Sequence, residues 1–275
     1  MGSLYLVATP IGNLQDITFR AIEVLKTVDM IAAEDTRQTM NLLSHFDIHT
    51  KLTSYHEFNK ETKTASLVDY LADHDLAVVS DAGTPALNDP GYEIVKEAVA
   101  RGIRVIPIPG PSAPLAALTA SGLPTDRFLF IGYLPRKHTE RLKLLHEIES
   151  HPYTLVMLET PHRLVDALVD LRQALGNRKI VLGRELTKKF EEFIRMDLDD
   201  ADEYYLTREP RGEFTLIVEG ASSSDQEVWG QAEVEGEVRR RMEEPYQSRI
   251  LAKEVAALSG WNSKDVYTLI HENRK

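Results

Sequence analysis

Short apolar runs alternate with amphipathic stretches along most of the chain. Residues 4–8 are Leu-Tyr-Leu-Val-Ala, aromatic and β-branched, and they stop at Thr9-Pro10-Ile11-Gly12-Asn13. A short run of that kind closed by Pro, Gly and Asn predicts a strand and a turn. Residues 18–28 then repeat apolar positions at helical spacing, with Ala21, Ile22, Leu25 and Val28 on one face. The same alternation predicts strands over 30–33, 76–80 and 104–109, and helices over 64–72 and 91–102. Strand, turn, helix in repetition is the signature of a mostly parallel α/β sheet. We assign residues 1–117 to such a lobe.

The pattern changes after that. Strands are predicted over 127–132, 154–159, 179–182 and 213–219, and helices over 140–149 and 163–175, while 190–206 is mixed and acidic. Phe214, Leu216 and Val218 alternate along the last strand. This reads as a second, α+β lobe with a mixed sheet, residues 118–220. Residues 221–227 contain Ser222-Ser223-Ser224 and read as a linker. Residues 228–275 form a small helical tail. One helix is predicted over 248–258 with Ile250, Leu251, Val255 and Leu258 inward, broken at Gly260. Asn262 or Ser263 caps a second helix through His271, with Val266, Leu269 and Ile270 inward. That is a helix-turn-helix pattern.

Composition narrows the chemistry. With 275 residues, 43% hydrophobic and 27% charged, the chain can bury real cores. It has no cysteine, which excludes disulfides, thiolate metal sites and cysteine nucleophiles. The nine histidines show no H-E-x-x-H spacing, so no metal is expected. A net charge of −11 excludes an indiscriminate basic coat for nucleic acid; any RNA contact must use local basic patches. No apolar run approaches the length of a membrane span, and residues 1–12 lack a basic leader segment, so a cytoplasmic location is expected.

In an open α/β sheet, ligands bind outside the carboxyl ends of the strands. Three predicted ends carry small residues, proline, glycine and a carboxylate or hydroxyl: 8–13, 81–91 and 109–113. Asp81 or Asp89 would accept from a ligand ammonium or ribose hydroxyl. No G-x-G-x-x-G follows the first strand and no G-x-x-x-x-G-K-[ST] is present, so dinucleotide and P-loop readings fail. Gly110-Pro111-Ser112-Ala113-Pro114 ends in proline where a nucleophile elbow needs glycine.

Val7-Ala8-Thr9-Pro10-Ile11-Gly12-Asn13, Gly83-Thr84-Pro85, Asp89-Pro90-Gly91 and Pro109-Gly110-Pro111-Ser112-Ala113 resemble motifs of the tetrapyrrole methylase superfamily. A more specific set is Glu34-Asp35-Thr36-Arg37, Tyr55-His56-Glu57-Phe58-Asn59, Glu159-Thr160-Pro161-His162-Arg163, Gly183-Arg184-Glu185-Leu186-Thr187-Lys188 and Gly212-Glu213-Phe214-Thr215. It resembles the branch that methylates cytidine ribose 2′-oxygens in the decoding region of 16S ribosomal RNA. The resemblance implies two α/β lobes, S-adenosylmethionine in the cleft between them, and a homodimer. It implies cofactor contacts from Pro10, Asp81, Gly83, Thr84, Leu87, Ser112, Ala113, Leu158, Leu182, Phe214 and Thr215. Thr84 stands where the superfamily often has Asp, so Asp81 is expected to supply negative charge.

A ribose hydroxyl is a weak acid, so a base should help remove its proton. Candidates are Glu34, Asp35 and His56, with Glu57 and Glu159 behind them. Candidate RNA contacts are Arg37 and Arg163, able to hold phosphates bidentately, and Arg136, Lys137 and Lys188 from basic clusters, one of which also holds Arg141 and Lys143; a further cluster lies at 239–241. Two other functions share these features: methylation of a tetrapyrrole or other small acceptor, and a non-catalytic nucleic-acid-binding regulator.

Overall fold

The computed structural model describes residues 2–222, 229–242 and 246–272. In the first lobe β1 (Ser3–Val7), β2 (Met30–Ala33), β3 (Lys51–Ser54), β4 (Leu76–Val79) and β5 (Arg104–Ile108) form a parallel sheet in the order β3-β2-β4-β1-β5. Between them run α1 (Phe19–Thr27), α2 (Thr36–His45), α3 (Lys60–Tyr70) and α4 (Tyr92–Ala100). Leu76 and Val78 face a core built with Leu67, Leu71, Ile94 and Ala98; Ala77 and Val79 face the opposite core with Ala21, Leu25 and Leu43. A strand covered on both faces needs apolar residues at every position, which is why β4 is Leu-Ala-Val-Val.

Two elements of this lobe carry no clear pattern in the sequence. In α2 the buried face is only Thr39, Leu42 and Leu43 within a polar helix, and β3 is a polar edge strand, Lys-Leu-Thr-Ser.

The second lobe holds β6 (Phe128–Tyr133), β7 (Thr154–Glu159), β8 (Lys179–Arg184), β9 (Glu192–Asp197) and β10 (Phe214–Val218), ordered β6-β7-β10-β8-β9. β6 and β7 are parallel, and β10 is antiparallel to both its neighbours, so the sheet is mixed. The acidic stretch 190–206 resolves into β9 and α8 (Leu198–Leu206). Phe214, Leu216 and Val218 face a core covered by α6 (His138–Ile148), α7 (Pro161–Leu175) and α8. The other face of β10 is buried too: Ile217, with Val156 and Val181, meets Ala117 and Leu118 of α5 (Ala113–Ser121). Thus α5 starts at the loop after β5, runs through the expected division at 117/118, and packs on the second sheet.

Past Gly220 the linker expected over 221–227 lies outside the described residues from 223 onward. The tail contains α9 (Gln231–Arg241), α10 (Ser248–Ser259) and α11 (Ser263–Glu272) around its own core of Val234, Val238, Leu251, Val255, Val266, Leu269 and Ile270. Gly260 (φ +69) ends α10 in the left-handed conformation. Two inward assignments are corrected here. Ile250 and Leu258 are 51% and 45% exposed, because the buried line of α10 runs through Leu251, Ala252, Val255 and Ser259. Trp261 packs against this core and donates its Nε1–H to the Trp229 carbonyl at 2.8 Å.

Candidate functional site

Parallel pairing places the carboxyl ends of all five first-lobe strands on one edge, so the loops 8–13, 34–35, 55–59, 80–91 and 109–113 meet there. Thr9 and Gly83 exchange backbone hydrogen bonds of 2.9 and 3.0 Å, and the Thr9 hydroxyl donates to the Ser80 carbonyl at 3.1 Å. The Thr84 hydroxyl donates to the Pro111 carbonyl at 3.3 Å. A Cβ on Gly110 would stand 3.0 Å from the Ala8 Cβ, so glycine lets these two loops touch.

The second lobe presents a matching edge. Thr215 pairs with Leu158 and with Gly183, and Tyr133 pairs with Leu158, so the ends of β6, β7 and β8 and the start of β10 face the same way. Between the lobes lies a cleft walled by Ile11, Leu87, Leu158, Leu186 and Phe214, by the small residues Gly83, Ala113 and Gly183, and by carboxylates from both lobes. The start of α5 opens into it at Ser112 and Ala113. Ser112 makes no side-chain cap, and Pro114 stands in the first turn of α5.

The carboxylates are Glu34, Asp81 and Asp89 on one side and Glu159 and Glu213 on the other. Asp81 is an organiser: its Oδ1 accepts the Asp35 N–H at 2.9 Å and its Oδ2 accepts from Gln38 at 3.2 Å. Its own N–H donates to Glu34 Oε2 at 3.4 Å. Burial pushes the Glu34 carboxyl up from its ordinary range, with the nearby charge of Asp81 adding to it. Asp89 is pushed up to about 7, first by burial and then by the negative charge of Glu34. Glu159 is also raised by burial; it accepts the Thr160 N–H at 2.8 Å and pairs with Arg163 at 3.3 Å.

A sequence model of Tetrapyrrole (Corrin/Porphyrin) Methylases matches residues 3–202. The chain belongs to this family. Ribosomal RNA small subunit methyltransferase I of Halalkalibacterium halodurans is 50% identical over 275 residues, covering 98% of this chain and 95% of the relative. The protein of that name from Bacillus subtilis is 42% identical over 276 residues, covering 98% of this chain and 94% of the relative. Among solved structures, uroporphyrin-III C-methyl transferase from Thermus thermophilus complexed with S-adenyl homocysteine shares the fold. Its TM-score is 0.56 at 21% identity, covering 78% of this chain and 97% of that one.

Of the residues expected to hold the family's methyl donor, Asp81, Gly83, Thr84, Leu87, Ser112, Ala113, Leu158, Phe214 and Thr215 all line the cleft. Two do not. Leu182 is fully buried in the helix-covered core, and its neighbour Gly183 faces the cleft instead, because successive strand residues point to opposite faces. Pro10 lines a separate hollow with Leu14, Gln38 and Asn41.

Of the candidate bases, Glu34 lines the cleft. Asp35 instead caps α2 through the Arg37 N–H at 2.8 Å and pairs with the Arg37 guanidinium, which holds its carboxyl down at about 2. His56 lies beside Asn59 at 3.2 Å, with Nδ1 buried and unpartnered.

Arg37, Arg136 and Lys137 are exposed, Arg37 paired with Asp35 and Lys137 with Glu140. Arg163 is engaged by the Leu134 carbonyl and Glu159, and Lys188 by Glu185 and Glu213. Arg141, at the centre of one basic cluster, turns inward to Asp170 at 2.5 Å. Tyr133, Glu213 and Gly183 were not foreseen as cleft residues, although two of them sit inside quoted motifs, Gly183-Arg184-Glu185 and Gly212-Glu213-Phe214. Among the described residues no group of three His, Asp or Glu side chains is arranged to hold a metal ion, and no helix is long and apolar enough to cross a membrane.

Proposed function

We propose that this chain transfers a methyl group from S-adenosylmethionine to the ribose 2′-oxygen of a cytidine in the decoding region of 16S ribosomal RNA. The observation that carries the donor assignment is the makeup of the cleft. Apolar walls suit an adenosine and a thioether chain, and the carboxylates of both lobes suit an ammonium and a sulfonium. The ribosomal substrate rests on the motif resemblance and on relatives named for the small-subunit RNA.

Bound there, the donor supplies an electrophilic methyl carbon. The chain's part is to align an acceptor oxygen, exclude water and take away a proton. Alignment of reactants alone is worth about 7–11 kcal/mol. Leu158, Leu186 and Phe214 exclude water, and Gly83 and Gly183 let backbone approach the donor. Glu34 and Asp89 both stand at the first-lobe wall, where an approaching hydroxyl would need an acceptor. Exposed Arg37, Arg136 and Lys137 supply phosphate contacts on an acidic protein, so affinity for the substrate should fall with salt. A homodimer and a cytoplasmic site of action complete the reading.

The test is incubation with methyl-labelled donor and separated small ribosomal subunits, 16S RNA, tetrapyrroles or duplex DNA. Label at a single cytidine that resists alkaline cleavage is expected. Label in a tetrapyrrole alone, or DNA binding with no transfer, would overturn the proposal.

A further inference from the structure

The loop between β4 and α4 is folded tightly on itself. Ala86 (φ +67) and Asn88 (φ +63) take the left-handed conformation, and Gly91 has φ +146. A Cβ on Gly91 would lie 3.0 Å from the Ala86 Cβ, so the loop closes at that point. Asn88 lies against Gly132 of β6, which fastens the loop to the second lobe. Strained backbone of this kind persists where surrounding contacts hold it, and it clusters at functional sites. The fold delivers Asp89, half-buried, to the cleft wall beside Glu34, Asp81 and Tyr133.

Hydrogen bonding separates the three first-lobe carboxylates. Both Asp81 oxygens are occupied, by Asp35 N–H and Gln38. Glu34 accepts a backbone N–H from Asp81. The Asp89 carboxylate accepts no backbone N–H among the described residues, and the nearby Ser80 hydroxyl lies 3.4 Å from the Ala82 and Gly83 carbonyls. Two carboxylates facing one half-buried cleft do not both ionise cheaply, and the proton stays on the one with fewer donors. That group is Asp89, held at about 7 by burial and by the charges of Glu34 and Asp81. A base with that affinity takes a proton from a poor acid in the transition state and returns it to water near neutral pH.

We propose that Asp89 accepts the proton of the attacking ribose hydroxyl, with Glu34 beside it on the same cleft wall. The inference rests on the ribose reading above. As the 2′-oxygen bonds to the methyl carbon, the carbon–sulfur bond breaks with its electron pair left on sulfur. The hydroxyl proton passes to the Asp89 carboxylate and from there to water. The groups facing Asp89 are Glu34, Asp81 and Ser80 from the first lobe and Tyr133 from the second, with Glu159 and Glu213 farther along that wall.

The experiment measures methyl transfer to separated small subunits at saturating donor, from about pH 5.5 to 9, with donor affinity followed by calorimetry. Asp89→Asn is expected to bind the donor normally and to lose about 100-fold or more of the transfer rate at neutral pH. Its residual rate should climb with pH as hydroxide substitutes for the missing base, and Asp89→Glu should recover part of the loss. Glu34→Gln removes a negative neighbour, so the acid limb of the profile should move to lower pH, which a merely structural Glu34 would not cause. An Asp89→Asn protein keeping more than about a tenth of the rate, or an acid limb that Glu34→Gln leaves in place, overturns the role of Asp89 while the ribose reading stands. If Asp89→Asn does not bind the donor, the Glu34→Gln profile alone decides. Wild-type protein that places no label on ribose overturns both.

Discussion

At the scale of single residues, Asp89 costs stability as it titrates. Its carboxyl ionises near 3.8 in the unfolded chain and at about 7 in the fold. Below about pH 4 both states are protonated. As pH rises through that window the unfolded state ionises first, so the fold loses stability until about pH 7, where the loss levels off. Asp89→Asn removes this loss. It should melt at a higher temperature than wild type at pH 8, by on the order of 1–2 kcal/mol after screening at the cleft mouth, with the difference vanishing below about pH 4. Thermal melts across that range check it.

Leu182 makes the opposite case. It is fully buried beneath α7 and α8, so Leu182→Ala should cost about 2–5 kcal/mol while leaving donor affinity unchanged. The sequence brought attention to the right stretch of strand, 179–182, but not to which neighbour faces the cleft. Strand parity cannot be read where both faces are buried and every position is apolar. Likewise Asp35 and Arg37 stood out as a charged pair at a strand end, but only the cap geometry of α2 shows that Asp35 is committed to its own helix.

At the scale of elements, the 84–91 loop of the first lobe touches β6 of the second through Asn88 and Gly132. Gly132 (φ +76) sits at an irregularity of β6 with the Asn88 side chain filling the space a Cβ would take. Gly132→Ala should therefore destabilise the protein by about 1–3 kcal/mol. Asn88→Ala in the same background should relieve part of the cost, which melting of the single and double variants would show. Elements with strong periodicity, such as 18–28 and 163–175, were legible. Helix α5 was not: Ala-Pro-Leu-Ala-Ala-Leu-Thr-Ala-Ser has no polar face to set a period, since one side meets the second sheet and the residues are small. The polar edge strand β3 and the polar helix α2 escaped for the complementary reason, a lack of enough apolar positions to mark a face.

At the scale of the molecule, the tail carries its own core and is joined to the second lobe through the 221–227 segment. Ending the chain after Ser222 should leave the melting of the two lobes and donor binding unchanged, and should weaken binding to small subunits. An unchanged subunit affinity would remove the tail from substrate recognition. The tail's arginines 239–241 are largely engaged with Glu235, Glu237 and Glu254, so any attraction of RNA to the tail draws on other faces as well.

The sequence by itself determined the class of each lobe, the chemistry of the strand-end loops and the family to which they point. All three depend on local patterns of apolar, turn-forming and charged residues. The tertiary structure alone decided which carboxylates are buried together in the cleft, which strand residue meets it, and to which sheet α5 belongs. Those outcomes depend on burial and on charges brought together from positions such as 34, 81, 89 and 133, and no local pattern encodes the distance between them.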